Sequence, residues 1–97
     1  MNAQLTREHA EALAIRGLAF LAADNERLDR FLALTGLAPD EVRAASQRPG
    51  FLAGVLQHIM EDDRIALAFA TEQSLTAAEL DAAARALGNT RWEREEP

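Results

Sequence analysis

Cysteine, lysine and tyrosine are all missing from this chain, and each absence closes off a kind of chemistry. Without cysteine there are no disulfides, zinc-thiolate sites or thiol nucleophiles, which fits a reducing compartment. Without lysine, Schiff-base catalysis and the phosphate-loop lysine are excluded, and all ten basic residues are arginine. The side chains left for chemistry are carboxylates, hydroxyls, two histidines and arginine. Strand patterning is nearly absent. So is any long apolar run: the most apolar stretch, residues 12–23, contains Arg16 and follows Glu8 and Glu11, which suits neither a signal peptide nor a membrane span. It reads as a core helix, and the protein as cytoplasmic.

The charge present is mostly negative. A net charge of −6 argues against a general polyanion binder, and the excess is uneven: residues 1–48 carry six Arg against seven acids, residues 49–97 four against nine. A partner approaching the second half is expected to be basic or neutral, with nucleic acid and membrane disfavoured. Ninety-seven residues predict a single domain burying somewhat over ~60% of its unfolded surface, with a core over about 7–88 and a charged tail over 89–97.

The punctuation is that of helix caps. Thr6 is placed to cap a first helix over about 7–23, with Leu13, Ala14, Gly17, Leu18 and Leu21 in one stripe and Ile15, Ala19 and Ala22 on another side. Apolar around much of its circumference, this helix is the expected central element, and its interior Gly17 marks a close helix crossing. Asp24 or Asn25 caps a second helix bearing Leu28, Phe31 and Leu32, which Gly36 ends in a left-handed cap with Leu37 beyond. Pro39, Asp40 and Glu41 begin a short third helix, with Val42 and Ala45 inward. A fourth, over about 50–60, has the cleanest stripe: Phe51, Leu52, Val55, Leu56, Ile59 and Met60. Asp62 or Asp63 caps a fifth with Ile65, Ala66, Phe69 and Ala70 inward. Thr76 and Glu79 make a capping box for a sixth, striped with Leu80, Ala83, Ala84 and Leu87 and stopped by Gly88.

These marks recur at an offset of thirty-eight residues: Leu18/Leu56, Asp24/Asp62, Phe31/Phe69, Leu37/Leu75, Glu41/Glu79 and Ala44-Ala45/Ala82-Ala83, with Leu21/Ile59 and Val42/Leu80 in frame. The reading is an all-α array of six helices built as two pseudo-repeated three-helix halves. Chance matches between Ala/Leu-rich helices of even length are the competing explanation.

The run Phe20-Leu21-Ala22-Ala23-Asp24, then Arg30-Phe31-Leu32, Leu34-Thr35-Gly36-Leu37, Pro39, Val42-Arg43 and Pro49-Gly50-Phe51-Leu52 with Val55-Leu56 and Asp62, resembles a family of small, single-domain, all-helical bacterial proteins known as a domain of unknown function. The resemblance spans about residues 10–88. It implies an all-α fold and a cytoplasmic bacterial setting, and brings no activity, cofactor or catalytic residue with it.

Three places carry chemistry worth weighing. His58 precedes Glu61, Asp62 and Asp63, and an imidazole and carboxylate at i,i+4 can share a divalent metal or small ligand; acids at a helix junction, however, normally serve as caps. Arg27, Arg30, Arg43 and Arg48 could share a face gripping nucleic-acid phosphates, but Glu26, Asp29, Asp40 and Glu41 interleave with them as in a solvated salt-bridge surface. The tail holds the lone Trp92 between Arg91 and Arg94, either folded back over the bundle or offered as a docking anchor. His9, between Glu8 and Glu11, reads as an exposed imidazole. Leu34 and Leu67 lie off their helices' stripes, as residues contacting a second copy would. No hydroxyl lies in a strand-turn-helix setting and no phosphate loop exists. The expectation is a non-enzymatic cytoplasmic protein-interaction or regulatory module, without catalytic, cofactor or metal residues. Its partner would be an unidentified protein, basic or neutral, or a second copy, contacted through Arg91, Trp92 and Arg94 and the acidic junction Glu61, Asp62 and Asp63.

Overall fold

The computed structural model describes the backbone of residues 2–95 and the side chains of residues 7–48 and 50–87. Six α-helices follow in chain order: α1 (Asn2–Ala22), α2 (Asn25–Thr35), α3 (Val42–Ala45), α4 (Pro49–Met60), α5 (Asp63–Gln73) and α6 (Ala77–Glu95), with a 3₁₀ turn over Pro39–Glu41 leading into α3. No strand occurs among the described residues. The expected all-α, six-helix array is therefore the fold. Its radius of gyration is 12.9 Å, close to the ~13 Å of a packed chain of this length.

Two boundaries differ from expectation. The first helix begins at Asn2 rather than after Thr6, so Thr6 lies inside α1 and is not its cap. Nothing in Asn-Ala-Gln-Leu-Thr breaks a helix, and a capping residue is tolerated in an interior. At the other end α6 runs through Gly88 to Glu95. Glycine weakens a helix interior by ~1 kcal/mol and does not by itself stop one.

Elsewhere local chemistry sets the ends, and does so twice. Asp24 Oδ1 accepts from the Glu26 and Arg27 amides at 2.9 and 3.1 Å, and thirty-eight residues on Asp62 Oδ1 accepts from Arg64 and Ile65 at 2.9 and 3.3 Å. Gly36 closes α2 in the left-handed region with φ 77°, and Ser74 closes α5 there with φ 59°. The Ala38 amide donates to Glu41 Oε1 at 2.8 Å, the Thr76 amide to Glu79 Oε1 at 2.9 Å. Only the second box is complete: the Glu79 amide returns a bond to Thr76 Oγ1 at 3.1 Å, whereas Ala38 has no acceptor. The paired ends 22/60, 25/63 and 35/73 keep the same offset, and the 3₁₀ turn and α6 begin at 39 and 77.

The halves also exchange contacts as a two-fold relation requires. Phe20 packs on Phe69 with ring centroids 5.2 Å apart, and the residues matching them across the repeat, His58 and Phe31, pack at 5.1 Å. Gly17 faces its own counterpart, Val55, at the centre: a Cβ on Gly17 would lie 3.4 Å from Val55 Cγ1, 3.6 Å from the Phe69 ring and 2.9 Å from Ile59 Cδ1. The close crossing expected at Gly17 is that of α1 on α4.

Centrality passes from α1 to α4. Leu52, Ala53, Val55, Leu56 and Ile59 are all buried, whereas the second apolar side of α1 is open, with Ala19 and Ala22 exposed and Ile15 53% exposed. The cause is unequal cover. The long α6 lies against both α1 and α4, while the corresponding element of the first half is the single-turn α3. Phe31, Phe69, Leu80, Ala83, Ala84 and Leu87 complete the core.

Asp24→Ala and Asp62→Ala should each cost about 1 kcal/mol in urea unfolding, the usual worth of an N-cap. Gly17→Leu should cost about 1–3 kcal/mol through overpacking against Ile59 and Val55. In Gly17→Ala only the flexible end of Ile59 must shift, and a helix-propensity gain of ~1 kcal/mol offsets that cost. A freely tolerated leucine would show that the crossing has room for a side chain.

Candidate interaction site

Phe20 is half-buried near the end of α1, where two neighbours fix its ring. Phe69 of α5 lies beneath it, and the guanidinium of Arg27 from α2 sits 4.2 Å from its centroid as a cation–π contact. The remaining side of the ring borders an open groove of about 620 Å³, lined by Phe20, Arg64, Leu67, Ala68, Thr71 and Glu72. Five of these come from one face of α5. Positions 64, 67, 68, 71 and 72 follow the spacing that places residues side by side on a helix. Leu67, at the middle of that face, is 69% exposed.

The repeat supplies an internal comparison. The face of α2 matching this one carries Glu26, Asp29, Arg30, Ala33 and Leu34, with His58 in place of Phe20. A charge therefore stands where α5 has its central leucine, and a titratable ring where α1 has its phenylalanine. Leu34, 67% exposed, matches Glu72 at the edge of the face, away from its centre.

His58 is half-buried between α4 and α2, edge-on to Phe31, which also packs on Phe51 at 5.8 Å. Burial holds the His58 imidazole below its ordinary pKa; Glu61 and Asp62 draw it upward, and Arg30 opposes them. The acidic junction does not close around it. Asp62 is occupied as the α5 cap, Glu61 ends α4 with its amide donating to Gln57 O at 3.0 Å, and Asp63, like Glu61, is exposed. Among the described residues no group of three or more His, Asp and Glu is placed to hold a metal ion.

The four arginines have different surroundings. Arg27 is stacked on Phe20, Arg30 acts on His58, and Arg43 and Arg48 are exposed on and after α3. His9 is exposed on α1. The side chains of Arg91, Trp92 and Arg94 lie outside the described residues; the backbone there continues α6.

Leu67 was legible in the sequence as an off-stripe leucine, but the groove beside it was not. The signal that could have found it is the mismatch of Phe20 with His58 and of Leu67 with Asp29 inside an otherwise matching repeat.

Compared with known proteins, residues 7–90 match the sequence model of a family described as "Protein of unknown function (DUF3572)". No curated protein and no solved structure matches the chain. Among the described residues no helix is long and apolar enough to cross a membrane.

The lowered pKa of His58 has a sign. In the unfolded chain the imidazole titrates near ~6.5, and in the fold it binds a proton less readily. Its contribution is thus complete above the unfolded value and is lost as pH falls through the folded one. His58→Phe, which gives the second half the ring found at Phe20, should flatten the decline in urea midpoint between about pH 7.5 and pH 5. An unchanged decline would assign it to other groups.

Proposed function

We propose that this chain, which belongs to the DUF3572 family, is a non-enzymatic protein-interaction or regulatory module of the bacterial cytoplasm that docks its partner on the α5 face beside Phe20. The observation that carries this reading is the exposed Leu67 in an apolar concavity walled by an aromatic ring. A single exposed leucine is ordinary on a protein surface, but one set in a groove has a place for a partner's side chain to seat against it. Phe20 is held by Phe69 and Arg27, so the wall is formed before a partner arrives and little ordering entropy is lost on binding.

The non-enzymatic part is supported by the position of His58. Its ring is used in packing against Phe31, and its nearest carboxylate cap, Asp62, is held by backbone amides. The groove lining carries one charge of each sign, Arg64 and Glu72, which suits a protein better than a polyanion.

The test is recovery of the tagged full-length chain from its native cytoplasm, as wild type and as Leu67→Asp. A stoichiometric protein should accompany the wild type and be lost from the variant, or, where the partner is a weakly held second copy, the variant should lose concentration-dependent pairing in sedimentation of the purified chain. The melting temperature should barely move, because Leu67 is largely in solvent. Identical companions in both preparations, together with self-association of the purified protein that Leu67→Asp leaves unchanged, would remove the groove from consideration.

A further inference from the structure

We propose that the occupant of this groove is a second copy of the chain, docked α5 against α5 in antiparallel register about a two-fold axis, with Arg64 of each copy against Glu72 of the other. The inference rests on the docking reading above and names its partner.

Arg64 and Glu72 stand eight residues apart on the groove face, about 12 Å along the helix axis, with Leu67, Ala68 and Thr71 between them. A face that is positive at one end, apolar in the middle and negative at the other is complementary to itself when reversed. Antiparallel pairing centred near Ala68 brings each Arg64 to a Glu72 and each Leu67 into the groove bordered by the opposing Phe20. Parallel pairing would set arginine on arginine and glutamate on glutamate. This is the self-matching arrangement that two-fold interfaces require.

A second observation points the same way. Arg64 sits in the first turn of α5 and Glu72 in the last, both against the helix dipole, which favours acids at the start and bases at the end. Neither charge is ion-paired among the described residues. Within the monomer each is the less favourable choice for its position, and a reversed copy of the helix supplies the opposite charge to both. The corresponding ends of the α2 face are Glu26 and Leu34, with Asp29 at the centre, so that face is not self-complementary.

One three-turn helix face per copy is small beside the ~1,200 Å² of standard interfaces, so the dimer should be weak, with a Kd on the order of 0.1 mM. Sedimentation of the purified full-length protein up to ~1 mM should show concentration-dependent pairing in this range. Arg64→Glu and Glu72→Arg should each weaken self-association roughly tenfold or more, since each creates like-charge contacts in a two-fold interface. Both suit the helix dipole, so the monomer should stay folded. The double variant should restore pairing, and mixing the two single variants should give a heterodimer stronger than either homodimer. A wild type that stays monomeric, a dimer indifferent to the single reversals, or a double reversal no better than the singles would each overturn the proposal. A monomeric wild type with a different partner lost in Leu67→Asp would refute self-pairing while keeping the docking face. A monomer with no Leu67-dependent partner would refute both.

Discussion

Where α1 crosses α4, a Cβ on Gly17 would lie 2.9 Å from Ile59 Cδ1 and in ordinary contact with Val55 and Phe69, so the two helices meet at the one place on this face of α1 that has no side chain. Glycine there allows the two backbones to close until Phe20 reaches Phe69 and His58 reaches Phe31. Each aromatic pair adds ~0.5–1.5 kcal/mol beyond the apolar area it buries. The pairs also fasten α5 to α1 and α2 to α4, so that neither half is held together by its own residues alone. The cost is conformational: glycine in a helix interior forgoes ~1 kcal/mol relative to alanine. The crossing offsets this through the burial of Val55, Leu56 and Ile59.

Gly17 and Val55 occupy matching places in the two halves and face each other across the crossing. A symmetric pair of identical units would need the same residue on both sides of such a contact, whereas a single chain can set small against large. The same freedom appears elsewhere. His58 stands opposite Phe20 in the repeat, and the long α6 stands opposite the one-turn α3. Because α6 covers α4, α4 is buried and α1 keeps an open side. The differences between matching positions leave an apolar groove on α5 and a charged face at the corresponding place on α2. The asymmetry that gives the molecule a candidate binding face is superimposed on helix ends and caps that recur at one offset.

The functional reading follows from that difference and not from any catalytic pattern. Of the acidic junction, conspicuous as a cluster in the sequence, Asp62 caps α5, and Glu61 and Asp63 are exposed. Arg27, one of four arginines that could have gripped phosphate, stacks on Phe20 and becomes part of the groove's support.

The chain's own order of residues determined the number of helices, most of their ends and the thirty-eight-residue repeat. These depend on groups close in sequence: Asp24 and Asp62 bond amides two and three residues on, Gly36 accepts a left-handed turn, and Glu79 bonds the amide of Thr76. It did not determine which long helix would be central, because the apolar patterns of α1 and α4 both call for burial and only the placement of α6 decides which obtains it. Nor did it place Phe20 beside Leu67, forty-seven positions away, or turn Arg27 onto that ring. Capping and periodicity act over one or two turns of helix, and are therefore written locally. A groove exists only where elements distant in sequence fail to cover one another, and the tertiary structure alone decides that.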